Sequence, residues 1–150
     1  MKTILKHVLA FAEAALGCKA EFGEQFTIPG LTAAASLNHH QYGVVRFAAA
    51  TTVNIASEVL VSGALKTAIG VLQNKHYVNE PAQVCVMGLS KVFAGGTITA
   101  GAPISYDSSG HVIDAVSGDV VIGRAMQAAT TAGEKVTALI LPPVRWGSVA

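Results

Sequence analysis

The residues of this chain best suited to chemistry are its histidines and aspartates, and their spacing argues against a catalytic or metal centre. His39 and His40 are adjacent, and adjacent side chains of an extended chain point to opposite sides, so the pair needs further ligands to chelate a metal. Asp107, Asp114 and Asp119 lack the alternating oxygen-ligand spacing of a calcium loop. Two of these aspartates lie in predicted turns, where aspartate commonly accepts local hydrogen bonds. We therefore expect no metal site.

Other catalytic arrangements are also missing from the sequence. It contains no Gly-x-Ser-x-Gly nucleophile elbow and no glycine-rich loop ending in Gly-Lys-Ser or Gly-Lys-Thr. The only cysteines, Cys18 and Cys85, form no CxxC motif, so we expect buried thiols, with a disulfide open but not implied. We predict that the chain is not an enzyme and has no cofactor.

Composition bears on the partners of the chain. Its 150 residues suffice for one domain with a substantial core. Ten Lys and Arg residues against nine Asp and Glu residues are scattered along it, whereas nucleic-acid binding requires concentrated positive charge. Charged residues make up 13% of the chain and hydrophobic residues 51%, so few charges are available to cover the surface. We expect no direct nucleic-acid partner and an apolar surface that contacts another protein.

Residues 1–17 are predicted to form a helix. Apolar residues recur there at helical spacing, and Gly17 ends the pattern. Charged residues interrupt the apolar run, so we interpret it as part of the mature protein, neither a signal peptide nor a membrane span. The apolar stripe is too broad to face water and must be covered by the chain's own core or by another protein. Leu5, Leu9 and Leu16 are the candidate interface residues.

The remainder of the chain is predicted to form an arm followed by β structure. Residues 18–42 contain Gly23, Pro29 and Gly30 and indicate an extended arm. From Gly43 onward, short apolar runs bounded by turn residues predict strands, at residues 44–47, 59–61, 68–73, 82–89, 104–106, 112–116, 120–126 and 135–141. The predicted fold class is mainly β: a small antiparallel β-barrel or sandwich domain, residues 43–150, preceded by an N-terminal helix and extended arm, residues 1–42.

Local patterns refine this prediction. In the last run, Val136, Ala138 and Ile140 fall on one face of a strand. The order Ile-Gly-Val at 69–71 followed by a second strand near 84–86 is echoed by Ile-Gly-Arg at 122–124 followed by one near 136–138, which predicts two related hairpins. Turns are predicted at residues 107–110 and 117–119.

Several short motifs in residues 65–143 carry a family resemblance. They are AIGV at 68–71, QVCVMG at 83–88, ITAGAPI at 98–104, GHV at 110–112, VIGRA at 121–125 and GEKV at 133–136. In this order they resemble the strand motifs of the tailed-bacteriophage capsid decoration, or cement, proteins. The predicted helix and arm fall outside the resemblance.

The resemblance implies a non-enzymatic virion protein on the exterior of the capsid, assembled in the host cytoplasm. It implies the major capsid protein and the chain itself, as a homotrimer, as partners, and stabilisation of the shell by bridging capsomers. One alternative is another self-assembling head or tail subunit. A second, from a different class, is a small β-barrel ligand-binding domain or enzyme, which would require converging polar groups in a pocket.

Overall fold

The computed structural model describes residues 25–49, 52–55, 68–75 and 77–146. These residues are mainly β, as the sequence predicts, and among them no helix long and apolar enough to cross a membrane occurs. The strands of the described residues are β1 (Phe26–Ala33), β2 (Val44–Ala49), β3 (Thr52–Ile55), β4 (Ala68–Leu72), β5 (Pro81–Phe93), β6 (Pro103–Tyr106), β7 (Val112–Asp114), β8 (Val120–Ala125) and β9 (Lys135–Arg145).

The strands form one sheet in the order β1-β3-β2-β4-β5-β9-β8-β6-β7, with an additional pairing of β1 with β5. That pairing makes β1, β3, β2, β4 and β5 a ring, although β1 and β3 share only two residue pairs, in parallel. In the other half, a bridge between Ala94 and Val112 links the end of β5 to β7. Because closure depends on these short contacts, neither half is a clean barrel, which corrects the barrel prediction.

The long strand β5 joins the two halves. Its residues Val84 and Cys85 pair with both β4 and β1, whereas the residues from Gly88 to Phe93 pair with β9. Gly88 lies where the partner strand changes and has a φ of 117°, a conformation that residues with a Cβ rarely adopt. β5 therefore belongs to both halves, which also contact each other where the Val44 N–H donates to the Gly110 carbonyl oxygen at 2.8 Å.

The buried apolar side chains form two clusters, and the second also includes Val44, Ala68, Val71 and Cys85 from the first half of the sheet. The first contains Leu31, Ala33, Leu37, Val45, Val53, Leu72, Ala82 and Val84. The second contains the buried apolar residues of β6, β8 and β9, including Ile104, Ile122, Val136, Ala138 and Ile140. Alternation along β9 buries the last three of these, as predicted, because successive side chains of a strand point to opposite faces.

Each half contains an antiparallel strand pair that corresponds to one copy of the predicted repeat. β4 pairs antiparallel with β5, and β8 pairs antiparallel with β9. A Cβ added to Gly70 would meet the Cys85 carbonyl oxygen, and one added to Gly123 would meet the Leu139 carbonyl oxygen. At both positions only glycine lets the neighbouring backbone approach so closely.

The predicted arm is only partly described, and its described strand belongs to the sheet. Residues 26–33 form β1, and Leu31, Ala33 and Leu37 are buried. The arm prediction is wrong for these residues because their apolar side chains complete the first core. The helix predicted over residues 1–17 and the strand predicted over 59–61 lie outside the described residues.

Candidate interaction surface

The aspartates weighed as metal ligands are engaged in turns and loops. Asp107 Oδ1 accepts hydrogen bonds from the backbone N–H groups of Ser109, at 2.7 Å, and His111, at 3.0 Å. Asp119 Oδ2 accepts one from the Val116 N–H at 2.9 Å. These contacts confirm both predicted turns. Among the described residues, no group of three or more His, Cys, Asp or Glu side chains could hold a metal ion.

Histidines and aromatic rings lie together between the strand ends. The Lys135 ammonium lies 5.4 Å from the Phe93 ring centroid and 5.8 Å from that of Tyr42, within cation–π range. Phe93 also contacts the His111 ring, with 6.1 Å between centroids. Burial, and next the charges of His111 and His39, lower the pKa of His40. These contacts hold the loop at Tyr42 and the turn at His111 against the paired ends of β5 and β9, where Phe93 lies opposite Lys135.

The cysteine prediction holds for the described thiol. Cys85 is a free, fully buried cysteine, and burial raises its pKa. A raised pKa keeps the group as the unreactive thiol at neutral pH. Cys18 lies outside the described residues.

The outer face of the second half of the sheet carries half-buried apolar residues. Leu89, Leu139, Arg124 and Pro103 are directly opposite one another across β5, β9, β8 and β6. Directly opposed side chains project from the same face of a sheet. The neighbouring residues along β9 and β6 are Ile140 and Ile104, which are buried. Because successive side chains of a strand point to opposite faces, the Leu89 row lies on the face away from the core.

A groove of about 620 Å³ opens on this outer face. We call it the β8–β9 groove; its apolar walls are Pro103, Val121, Leu141, Pro142, Val144 and Trp146. The exposed fractions of Val144, Trp146 and Leu141 are 64%, 46% and 38%. Side chains of this kind contribute little to the core, and together they form a surface suited to contact with another protein.

Strand register explains why the groove exists. Val121 pairs with Val144 and Gly123 pairs with Ile140, so three residues of β9 stand against one residue of β8. Two of the three are Pro142 and Pro143, which have no N–H to donate to the ladder. The extra residues form a bulge that bends β9 away from its partner.

Two cations border the β8–β9 groove. Arg124 and Arg145 both line it, and both are exposed. Arg124 donates a hydrogen bond to the Gly101 carbonyl oxygen at 2.8 Å, which holds the guanidinium at the groove edge. None of the described residues that line the groove carries a carboxylate. The groove therefore favours an apolar partner with carboxylates at its edge.

Comparison with known proteins identifies the family. A family model described as phage cement protein matches residues 37–140, more than half of the chain. The chain belongs to the phage cement protein family. It is accordingly a structural protein of the phage virion, and the resemblance found in the sequence is confirmed. No curated protein sequence matches it.

A solved structure shows a similar fold. The head fiber gp8.5 N base of bacteriophage phi29 matches with a TM-score of 0.56 and 16% sequence identity, over 78% of this chain and 94% of that chain. At this identity the similarity concerns the fold alone.

Sequence reasoning found part of this surface chemistry and missed the groove. It expected an apolar surface, and the described residues expose one; contact of this surface with another protein stays a prediction. The local indication of the groove was the Pro142–Pro143 pair, whose effect depends on register with β8. Leu5, Leu9 and Leu16, the predicted interface residues, lie outside the described residues, so their role stays a prediction.

Proposed function

We propose that this chain binds the outer surface of the phage head, contacts the major capsid protein and stabilises the shell by bridging neighbouring capsomers. The observation that carries the proposal is membership of the cement family over residues 37–140. The exposed apolar face around the β8–β9 groove supports it, because protein interfaces combine an apolar centre with a polar rim. Contacts that are individually modest resist expansion of the shell when they are repeated over its whole surface.

We further propose that the chain acts as a homotrimer and has no catalytic activity. A trimer would share the apolar surface that the low charge content leaves exposed. The hydrogen bonds of Asp107 and Asp119 to the turn backbone support a non-catalytic role, because these carboxylates stabilise local structure. Leu5, Leu9 and Leu16 are proposed as additional anchors on a neighbouring subunit or the shell.

Binding to expanded heads of the phage that encodes the chain tests the proposal. We expect purified protein to co-sediment with the heads to saturation and to raise the temperature at which they release DNA. Cryo-electron microscopy of the decorated heads should show three copies in mutual contact, each touching the major capsid protein. Absence of saturable binding to heads would refute the proposal.

A related role is the base of a longer head appendage. The fold similarity to a head fiber base favours this second candidate. The same micrographs separate the two roles, because a fiber base would carry additional protein extending from the shell, whereas a bridging subunit would join adjacent capsomers.

A further inference from the structure

The β8–β9 groove has the chemistry of a binding site for an apolar protein segment. Its walls are aliphatic, proline and tryptophan side chains, and its bordering charges, Arg124 and Arg145, are both positive. Segments that bind such a groove commonly present apolar anchors at helical spacing. A segment that also carries a carboxylate near its anchors would pair with one of the arginines.

The sequence of this chain contains such a segment before the first described residue. Leu9 and Leu16 fall on one face of the helix predicted over residues 1–17, and Glu13 lies on that face between them. Glu21 and Glu24 follow toward β1. The segment therefore matches the groove in both apolarity and charge.

The position of residue 25 bears on whether the segment would meet the groove of its own subunit or that of a neighbouring copy. β1 runs antiparallel to β5, with Phe26 opposite Met87, and the Gln25 side chain donates to the Leu89 carbonyl oxygen at 2.8 Å. Gln25 therefore lies on the side of Phe26 that faces the Phe93 end of β5. The groove lies in the other direction, because Ile140 is opposite Gly88 and β9 continues from there away from Phe93.

We infer that the β8–β9 groove receives residues 1–24 of a neighbouring copy of this chain. Leu9 and Leu16 fill the apolar groove, and Glu13 pairs with Arg124 or Arg145. A 17-residue helix is about 25 Å long, and seven extended residues add up to roughly 23 Å, so the segment is long enough to extend beyond its own subunit. The inference rests on the proposed homotrimer and is independent of capsid binding.

Exchange of residues 1–24 between neighbouring copies explains how three subunits form a closed ring. The segment and the groove are different surfaces, so each contact is head-to-tail. Head-to-tail contacts form a ring when the rotation between subunits closes. Three copies that each donate a segment to the next groove form such a ring.

Disulfide cross-linking of the full chain tests the inference. One variant carries Leu9→Cys and another carries Val144→Cys, both with Cys18→Ser, while the buried Cys85 is retained. Mixed under oxidising conditions, in solution and on heads, the two should give a cross-linked dimer at several-fold higher yield than a mixture of the Leu9→Cys variant with a Val116→Cys variant. Val116 is the matched control because it is also 64% exposed and does not line the groove.

Three results would overturn the inference. The first is equal cross-linking of Val144→Cys and Val116→Cys. The second is a chain carrying both Leu9→Cys and Val144→Cys that forms only an internal disulfide, because the segment would then cover its own groove. The third is absence of any cross-linked dimer, whether in solution or on heads.

Sedimentation measurements of self-association provide a second test, in which two exposed residues are substituted. Val144→Asp should raise the dissociation constant of the oligomer by about tenfold or more, and Val116→Asp should leave it unchanged. Equal effects of the two would also contradict the inference. Binding of the wild-type protein to heads is measured separately. Decorated heads without cross-linked dimers would refute this inference alone, and cross-linked dimers without decoration would refute capsid binding alone.

Discussion

Alanine substitution at two strand glycines tests the close backbone approach in the related hairpins. A Cβ at Gly70 would lie against the Cys85 carbonyl oxygen and 2.9 Å from Val84 Cγ1. A Cβ at Gly123 would lie against the Leu139 carbonyl oxygen and 3.0 Å from the Leu139 carbonyl carbon. At both sites backbone atoms of the paired strand are in the way, and they cannot withdraw without distorting the ladder of hydrogen bonds.

The expected magnitude follows from these contacts and from a matched control. Overpacking typically costs 1–3 kcal/mol, so each substitution should lower the free energy of unfolding by about that amount. Gly96 has open space around its Cβ position and does not have a positive φ. Gly96→Ala should therefore be neutral or stabilise by about 0.4–1 kcal/mol, since alanine restricts the unfolded chain.

Urea unfolding of the three variants, followed by circular dichroism, measures the difference. For a chain of 150 residues, each kcal/mol corresponds to roughly 2–4 °C in Tm, so thermal melts should separate Gly96→Ala from the other two by roughly 2–16 °C. If Gly70→Ala and Gly123→Ala unfold within about 0.5 kcal/mol of Gly96→Ala, the strands relax easily and the reasoning is refuted.

Three further predictions concern polar groups. Ser105 is fully buried and its Oγ has no hydrogen-bond partner among the described residues, so Ser105→Ala should raise the free energy of unfolding by about 1 kcal/mol; a lower Tm would contradict this. Hydrogen bonds from Thr131 and then Thr130 lower the pKa of Glu134, so the stability gained is present above the unfolded carboxyl pKa and lost as pH falls through the folded value. The stability difference between wild type and Glu134→Gln should therefore vanish in acid melts. The pKa of His40 is lowered mainly by burial, so the unfolded state binds the proton more readily and stability should fall as pH drops from the unfolded to the folded pKa; His40→Gln should reduce this slope in a pH series of urea melts.

The sequence pattern predicted those strands whose pairing in the sheet agrees with their local sequence. β2 and β4 to β9 begin within one residue of their predicted starts because each is a short apolar run between turn residues, whereas β3 was not predicted. β1 was missed because Pro29 and Gly30 are strand-breaking residues. The structure accommodates them with a register shift between Ile28 and Leu31 and a φ of 78° at Gly30, which pairing with β5 makes possible.

The β8–β9 groove could not be predicted because it depends on a pairing between distant parts of the sequence. The sequence shows two prolines after a strand, which by itself indicates only that the strand ends. Pairing of Val121 with Val144 beyond the prolines keeps β9 in the sheet and turns them into a bulge. The apolar residues after the bulge then face outward instead of entering a loop.

Buried apolar residues stabilise the fold of this chain, whereas exposed apolar residues are available for contacts in an assembly. Ile104, Ile122 and Ile140 are almost fully buried and belong to the core that stabilises the second half of the sheet. Val144, at 64% exposure, adds almost nothing to that core. Burying one such side chain against a partner is worth roughly 1.5–3 kcal/mol, which is weak for a single contact. Repeated at every subunit of a shell, contacts of this size accumulate, so a small outward apolar groove can contribute to the strength of an assembly without strengthening the fold of any one chain.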